Sequence, residues 1–356
     1  MTPSGTGPSR RVGLAAITTT AILWGTTGTV ATFADGAGPL AIGAAALGIG
    51  GLLQAAVAIP ALRAARGELS AHRRTILLGA AAVAIYPLAF YSSMHLAGVA
   101  VGTVVSLACA PLASGVLELV VDRRALSRWW TLAAALGILG SILLCLATQQ
   151  SSAGSVWLTV AGVLLGLVAG TTYAVYSWVV HRLMSAGVSR GASMGAVFGL
   201  GGALLMPVLV LTGAPLLASG TNLAVAAYMA LVPMFLGYVL FGIGLTAVSA
   251  SEATTVTLSE PAVAAVLAVV VVGEQLGTVG WIGVAIIGLV LVVLAAAPTN
   301  AAVPPAGRAS VRGEARQDRA KQGRPTGEPL LEVGSTGQLE PGVDTQPAQG
   351  LGLPDW

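Results

Sequence analysis

Every Lys and Arg of this chain falls in one of five short clusters, and what lies between the clusters dictates how the chain can fold. The clusters are Arg10 and Arg11; Arg63, Arg66, Arg73 and Arg74; Arg123, Arg124 and Arg128; Arg182 and Arg190; and Arg308, Arg312, Arg316, Arg319, Lys321 and Arg324. The gaps are apolar, nearly free of charge, and each long enough for two membrane crossings. Basic residues favour cytoplasmic loops, so clusters at every second connection predict a polytopic helical protein with both termini inside. Only 9% of the residues are charged, against about 25% in a soluble domain. So little charge cannot cover a water-facing surface, and lipid must be the solvent. Without water the backbone groups pair internally, which leaves helices or a closed barrel. Apolar runs of about 20 residues without polar alternation select helices. The net charge of +3 comes from loop and tail arginines. These read as topology signals and imply no nucleic-acid partner.

Ten crossings are expected: Val12–Phe33, Pro39–Leu62, Thr75–Met94, Val99–Val121, Trp129–Ala147, Val156–His181, Gly191–Thr212, Leu223–Thr246, Ala253–Val272 and Val279–Ala297. Residues 1–11 then form a cytoplasmic N-terminal segment, 12–147 and 148–297 two halves of five helices, and 298–356 a cytoplasmic tail. Basic loops 62–75, 122–128 and 182–190 lie inside; connections 34–38, 148–155, 213–222 and 273–278 hold no Lys or Arg and lie outside. The tail is rich in Pro, Gly, Gln and charge, buries too little to offset its ordering entropy, and is expected to be disordered. Its basic half can rest on anionic lipid heads. Cys109 and Cys145 sit inside apolar segments and read as packing residues. Trp129, Trp130, Trp157 and Trp281 fall at predicted helix ends, where indoles anchor at the interface.

The chain repeats itself weakly at an offset of 150 residues: His95 to Pro111 lies over Leu245 to Pro261 without gaps, Pro over Pro. The loop after the fourth crossing, Asp122 to Arg128, is basic; its counterpart, Gly273 to Thr278, has no basic residue. The halves therefore read as oppositely oriented. An inverted repeat of this kind is a transporter architecture, with the substrate site near the midplane between halves.

Four segments resemble the EamA-type transporters of the drug/metabolite transporter superfamily. They are Ala21-Ile-Leu-Trp-Gly-Thr26 in the first helix, Ala110-Pro111 in the fourth, Ser259-Glu-Pro261 in the ninth, and Gly273-Glu-Gln-Leu276 at the end of the ninth. The resemblance covers Val12 to Ala297 and implies membrane transport. It does not fix the substrate, because that family carries amino acids, sugars, nucleotide precursors and other metabolites. The first half departs from the pattern: Ala110 precedes Pro111 where the second half has Glu260.

Glu260 is the most informative side chain. It lies near mid-membrane depth, where a charge costs several kcal/mol unless it faces a cavity or a partner, and no intramembrane Lys or Arg is there to pair with it. Either it contacts substrate or a coupling proton, or it is a neutral Glu bonded to backbone or hydroxyls in the bundle. Pro261 removes a backbone donor beside it. Trp24, Tyr86 and Tyr176 are deep aromatics with polar atoms to satisfy, placed either at the cavity or in helix packing. Thr26, Ser106 and Thr257, together with Thr27, can add hydroxyls to that cavity or bond their own helix. Glu118, near the cytoplasmic end of the fourth helix, is expected to reach the interface or pair with Arg123 or Arg124; Glu252 opens the ninth helix at the positive end of its dipole. Gly162, Gly166 and Gly170, and Gly195 with Gly199, recur at every fourth position, the spacing of close helix contacts. Pro87, Pro207 and Pro233 mark expected kinks.

No cofactor or metal site is expected: there is no His/Cys/Asp cluster at ligand spacing and no P-loop. These residues point to a secondary transporter of a small organic metabolite, neutral or zwitterionic, working by alternating access in a plasma membrane and exporting it. An intramembrane enzyme would need acids or metal ligands clustered at one depth. The alternative of another class is a membrane scaffold or sensor acting through the tail. Monomer and homodimer both stay open.

Overall fold

The first half of the chain turns three times before reaching residue 100, and each turn is written in its local chemistry. Ser9 caps the first helix by accepting the Val12 N–H, and Pro39 opens the second. Gly98 separates the third and fourth helices with φ +87°, a conformation that a side chain disfavours. The computed structural model describes residues 8–147, 156–267, 269–270 and 277–297, without the side chains of Val99 and Ala100. The tail 298–356, the expected outer connection 148–155 and the motif Gly273-Glu-Gln-Leu276 lie outside the described residues.

The helices are α1 (Arg10–Ala31), α2 (Pro39–Val57), α3 (Arg73–Ala97), α4 (Val99–Val120), α5 (Arg128–Ala147), α6 (Val156–Ser185), α7 (Arg190–Thr212), α8 (Gly220–Leu245), α9 (Ala250–Val256), α10 (Glu260–Leu267) and α11 (Thr278–Ala296). Two short helices, Ile59–Ala64 and Arg66–Ala71, join α2 to α3. Among the described residues no strand occurs, and nine helices are long and apolar enough to cross a membrane. The expected crossing Ala253–Val272 is instead interrupted: α9 passes through a 3-10 turn, Thr257–Ser259, into α10. Pro261 has no N–H to give the Thr257 carbonyl, so the α-helical ladder loses a rung there and the chain tightens.

Side-chain bonds between distant helices sort the helix ends into two sets. Arg10 at the start of α1 donates to the Leu294 carbonyl of α11 at 2.7 Å and pairs with Glu252 of α9 at 2.8 Å. Asp122 after α4 pairs with Arg182 of α6 at 2.5 Å and accepts the Trp178 indole N–H at 2.7 Å. We call this the basic end. At the other end the Asn222 amide of α8 donates to the Asp35 carbonyl after α1, and Ser93 of α3 donates to the Gly162 carbonyl of α6. Successive long helices therefore run in alternating directions.

The expected glycine stripes lie at helix contacts. Gly162, Gly166 and Gly170 let α6 approach α3 and α4, and Gly195 and Gly199 let α7 approach Ala58 and Ala55 beside α2. α6 ends as a Schellman motif: Gly187, at φ +99°, donates to the Met184 carbonyl and Val188 to that of Leu183. Large apolar side chains such as Leu204, Val210, Leu211 and Val292 face outward, as lipid contact demands. One anchor reading fails. Trp130 is buried, packed against Gly115, whereas Trp157 is exposed as an interfacial indole should be.

Candidate functional site

The resembling segments of the first and ninth helices meet. Gly25 is the point of approach: a Cβ there would lie 2.8 Å from the Val263 side chain and 3.1 Å from the Glu260 carbonyl oxygen. Trp24, next to it, therefore sits beside Glu260. Trp24 is held by its indole N–H, which donates to the Pro233 carbonyl of α8 at 2.9 Å. That carbonyl belongs to a widened π turn, Ala230–Leu236, inside which Pro233 supplies no N–H. Two further donors take carbonyls freed along the same stretch: Gln54 of α2 to Phe235 at 2.8 Å and Thr20 of α1 to Gly237 at 3.0 Å. α2 carries a π turn of its own, Ala44–Ile49, and packs it against that of α8.

Between these helices lies a small cavity with Glu260 in its wall. Its other polar and aromatic lining comes from Trp24 and Thr27 of α1, Tyr86, Phe90 and Tyr91 of α3, and Tyr238 of α8. Leu47 and Met234, one from each π turn, complete the apolar wall. The free volume is about 10 Å³, room for one water molecule. The Glu260 side chain is 6% exposed, and its Oε2 has no hydrogen-bond partner among the described residues. Buried carboxylate oxygens ordinarily have partners, so this orphan marks the wall.

A sheath of rings surrounds the cavity. Trp24 and Tyr238 have centroids 4.9 Å apart, Tyr86 and Phe90 5.6 Å, and Phe198 and Tyr238 4.4 Å. Two pairs of hydroxyls in and around this sheath are bonded. Tyr176 and Tyr238 share a bond of 2.7 Å, and Tyr173 bonds Thr257 at 2.8 Å.

Four of the residues expected at the cavity, Glu260, Trp24, Tyr86 and Thr27, line it. Tyr176 and Thr257 stand one layer behind it, engaged with Tyr238 and Tyr173. Thr26 is elsewhere: its hydroxyl donates to the Leu23 carbonyl and meets the Tyr228 hydroxyl at 2.9 Å. Ser106 is also apart, donating to Gly102 in its own helix at 2.7 Å, the backbone bonding that threonines and serines favour in helices. Tyr91, Phe90 and Tyr238 were not picked out as site residues. Tyr86 and Phe90 share a face by their spacing of four, a signal that could have found one of them.

The basic end corrects one expectation. Glu118 pairs with neither Arg123 nor Arg124. It is buried and accepts the Ser251 backbone N–H at 2.8 Å and the Ser251 hydroxyl at 2.9 Å, tying α4 to the start of α9. Glu252 does cap α9, in a reciprocal box with Ser249.

The chain is a multi-pass helical bundle with a small cavity beside Glu260. Comparison with known proteins names the group. Residues 160–296 match the EamA-like transporter family. The chain is 36% identical over 283 residues to YwfM, an uncharacterised transporter of Bacillus subtilis (strain 168), covering 78% of this chain and 92% of that protein. A solved crystal structure shares the fold, with a TM-score of 0.65 over 80% of this chain and 96% of the other at 21% identity. The chain belongs to the EamA-like transporter family. It is a multi-pass membrane protein whose partners are a small-molecule substrate and membrane lipid.

Proposed function

We propose that this protein is a secondary transporter that exports a small organic metabolite, one without net negative charge, across a bacterial plasma membrane. In this reading ten crossings form two inverted five-helix repeats, 12–147 and 148–297, with both termini cytoplasmic. The repeats rock about the Glu260 cavity and expose it to one side at a time. Transport and not catalysis is the activity, since the cavity has one acid and no second group positioned to act with it. Glu260 serves substrate recognition or proton coupling: a carboxylate at depth must be neutralised by a proton or by something it binds.

One observation carries this reading, the buried Glu260 carboxylate with an unpartnered oxygen in a cavity walled by both halves of the chain. The test is flux of a mixed metabolite panel in proteoliposomes, wild type beside Glu260→Gln, followed by mass spectrometry. The wild type should move at least one metabolite that the variant moves at a rate lower by about a hundredfold, roughly 2.7 kcal/mol of lost stabilisation. Equal rates for both proteins would remove Glu260 from the mechanism.

A further inference from the structure

Building on the transport reading, we infer that the Glu260 cavity is a site for an organic monocation, an amine or quaternary ammonium, held between the Glu260 carboxylate and the aromatic walls. The argument is one of charge and of spent donors. Glu260 is the only ionisable acid or base lining the cavity apart from the tyrosine hydroxyls; no Lys, Arg or His reaches it. Its Oε2 has no partner among the described residues. The arginines on the lining helices, Arg10 and Arg11 of α1 and Arg73 and Arg74 of α3, stand at the starts of those helices and none lines the cavity; Arg10 is held by Glu252. A cation is therefore the ligand that completes the site electrostatically.

The donors are already engaged. The Trp24 indole N–H is committed to Pro233, the Thr27 hydroxyl donates to the Trp24 carbonyl at 2.7 Å, and the Tyr238 hydroxyl is shared with Tyr176. That leaves the hydroxyl of Tyr86, and that of Tyr91 beside Thr27, neither of which carries a charge to set against an anion. A zwitterion could give its ammonium to Glu260, but its carboxylate would then lie close to a second carboxylate with no cation to meet it. The cationic class thus replaces the neutral or zwitterionic one expected from composition. Aromatic rings favour the same choice: Trp24, Tyr86, Phe90, Tyr91 and Tyr238 surround one acid, and aromatic walls attract alkylammonium groups that shed water easily. Calcium and magnesium ions want six or more oxygens and zinc wants a set of Cys, His or carboxylate ligands, which rings and one acid do not provide.

The cavity has room for about one water molecule in this structure, so a larger ligand enters only when the lining helices part. Four of them carry a break in their regular ladder beside the cavity: the π turns of α2 and α8, Pro87 within α3, and the 3-10 turn that leads into α10. These are the places where backbone bonds are already irregular and small shifts cost least.

The test uses three probes of one shape: choline, its neutral isostere 3,3-dimethylbutan-1-ol, and the zwitterion glycine betaine. Equilibrium dialysis of the purified full chain in detergent reads binding, and counterflow in proteoliposomes reads transport of choline and betaine. Choline should bind at least about tenfold more tightly than either of the others. Glu260→Gln, nearly isosteric, should abolish that preference; Tyr86→Phe should keep it, and Tyr86→Leu should weaken choline binding several-fold. Wild-type selectivity needs no variant to fold, and thermal melts establish which variants do. Equal or tighter binding of betaine or the alcohol overturns the cation assignment, as does a choline preference that survives Glu260→Gln. If a wider panel shows Glu260-dependent transport of a neutral or zwitterionic solute and none of choline or trimethylphenylammonium, the transporter reading stands and the cation assignment falls. If no solute of any charge moves, the transporter reading falls as well.

Discussion

Truncating Glu118 should loosen the basic end of the bundle by an amount the structure lets us work out. Its carboxylate accepts two bonds from one residue, the Ser251 N–H at 2.8 Å and the Ser251 hydroxyl at 2.9 Å. Ser251 is the second residue of α9, so its N–H is among the donors that a helix start leaves without an intrahelical partner. Ser249 already accepts from Glu252 at 3.2 Å and shares a bond with the Ser251 hydroxyl at 2.9 Å, which leaves its oxygen little capacity for this N–H. Glu118→Ala therefore strands a donor on a residue only 2% exposed, which costs about 1–3 kcal/mol. It also withdraws negative charge from the positive end of α9, about 0.5 kcal/mol more. The Ser251 hydroxyl loses the same acceptor but keeps Ser249 Oγ at 2.9 Å, so its share is about 1 kcal/mol at most. A net loss of about 2–3 kcal/mol is expected for Glu118→Ala, and about half that for Glu118→Gln, which keeps one acceptor oxygen. Reversible unfolding in mixed SDS micelles, followed by circular dichroism, gives the values. A cycle with Ser251→Ala isolates the hydroxyl share, expected near 1 kcal/mol. Wild-type stability in Glu118→Ala, or a cycle that closes to zero, would show that this contact does not fasten α4 to α9.

Two further substitutions probe the packing that positions the site. Gly170→Val drives a side chain into the Ser106 carbonyl and Cys109 of α4; it should cost about 3 kcal/mol and lower the melting temperature, and an unchanged melt would mean that α6 does not approach α4 so closely. Trp24→Phe keeps a ring beside Tyr238 but leaves the Pro233 carbonyl without its indole donor; a loss of about 0.5–1.5 kcal/mol is expected in the same unfolding assay, and no loss would mean that the π turn of α8 holds itself.

The helices and their directions could be read from the sequence because lipid makes one demand of every crossing, an uninterrupted apolar run, and because arginine marks the ends. Nine of the expected crossings appear as long helices. The interruption of the remaining segment was only half legible: Pro261 announces a loosened ladder, but not that Thr257–Ser259 tighten into a 3-10 turn ahead of it. Glu260 stood out because an acid among apolar residues is costly wherever it points. Tyr91 and Tyr238 did not, since nothing along a single helix distinguishes a ring at a cavity from a ring in packing. That distinction depends on how α1, α3 and α8 rotate against one another. Rotation is set by contacts such as Gly25 against α10 and Trp24 against Pro233, both between residues more than two hundred positions apart. Glu118 was misread for a related reason: Arg123 and Arg124 are near it in sequence, whereas Ser251 is near it only in space.

The two ends of the bundle are fastened by different chemistry, and this bears on how the proposed rocking motion would run. At the basic end three carboxylates each grip another helix or its cap: Glu118 on Ser251, Asp122 on Arg182 and Trp178, Glu252 on Arg10. At the opposite end the ties between helices among the described residues are neutral: Asn222 to the Asp35 carbonyl, Ser93 to the Gly162 carbonyl, Thr26 to Tyr228. Hydrogen bonds with an ionised partner are roughly twice as strong as neutral ones. In the proposed cycle, opening the neutral end would therefore break weaker ties than opening the basic end. A solute can reverse that preference only through binding energy that differs between the two states. Glu260 sits where such a difference can arise. It lies on the same broken helix that Glu118 and Arg10 hold by its first turn, ten residues from Ala250 along the chain. A ligand that draws the Glu260 segment toward α3 pulls on a helix anchored at its start by charge, through a 3-10 turn that can lengthen. Loss of the Glu118 anchor should for that reason show itself in transport as a slip between binding and opening: solute still binds, but the pull at Glu260 no longer reaches the basic end.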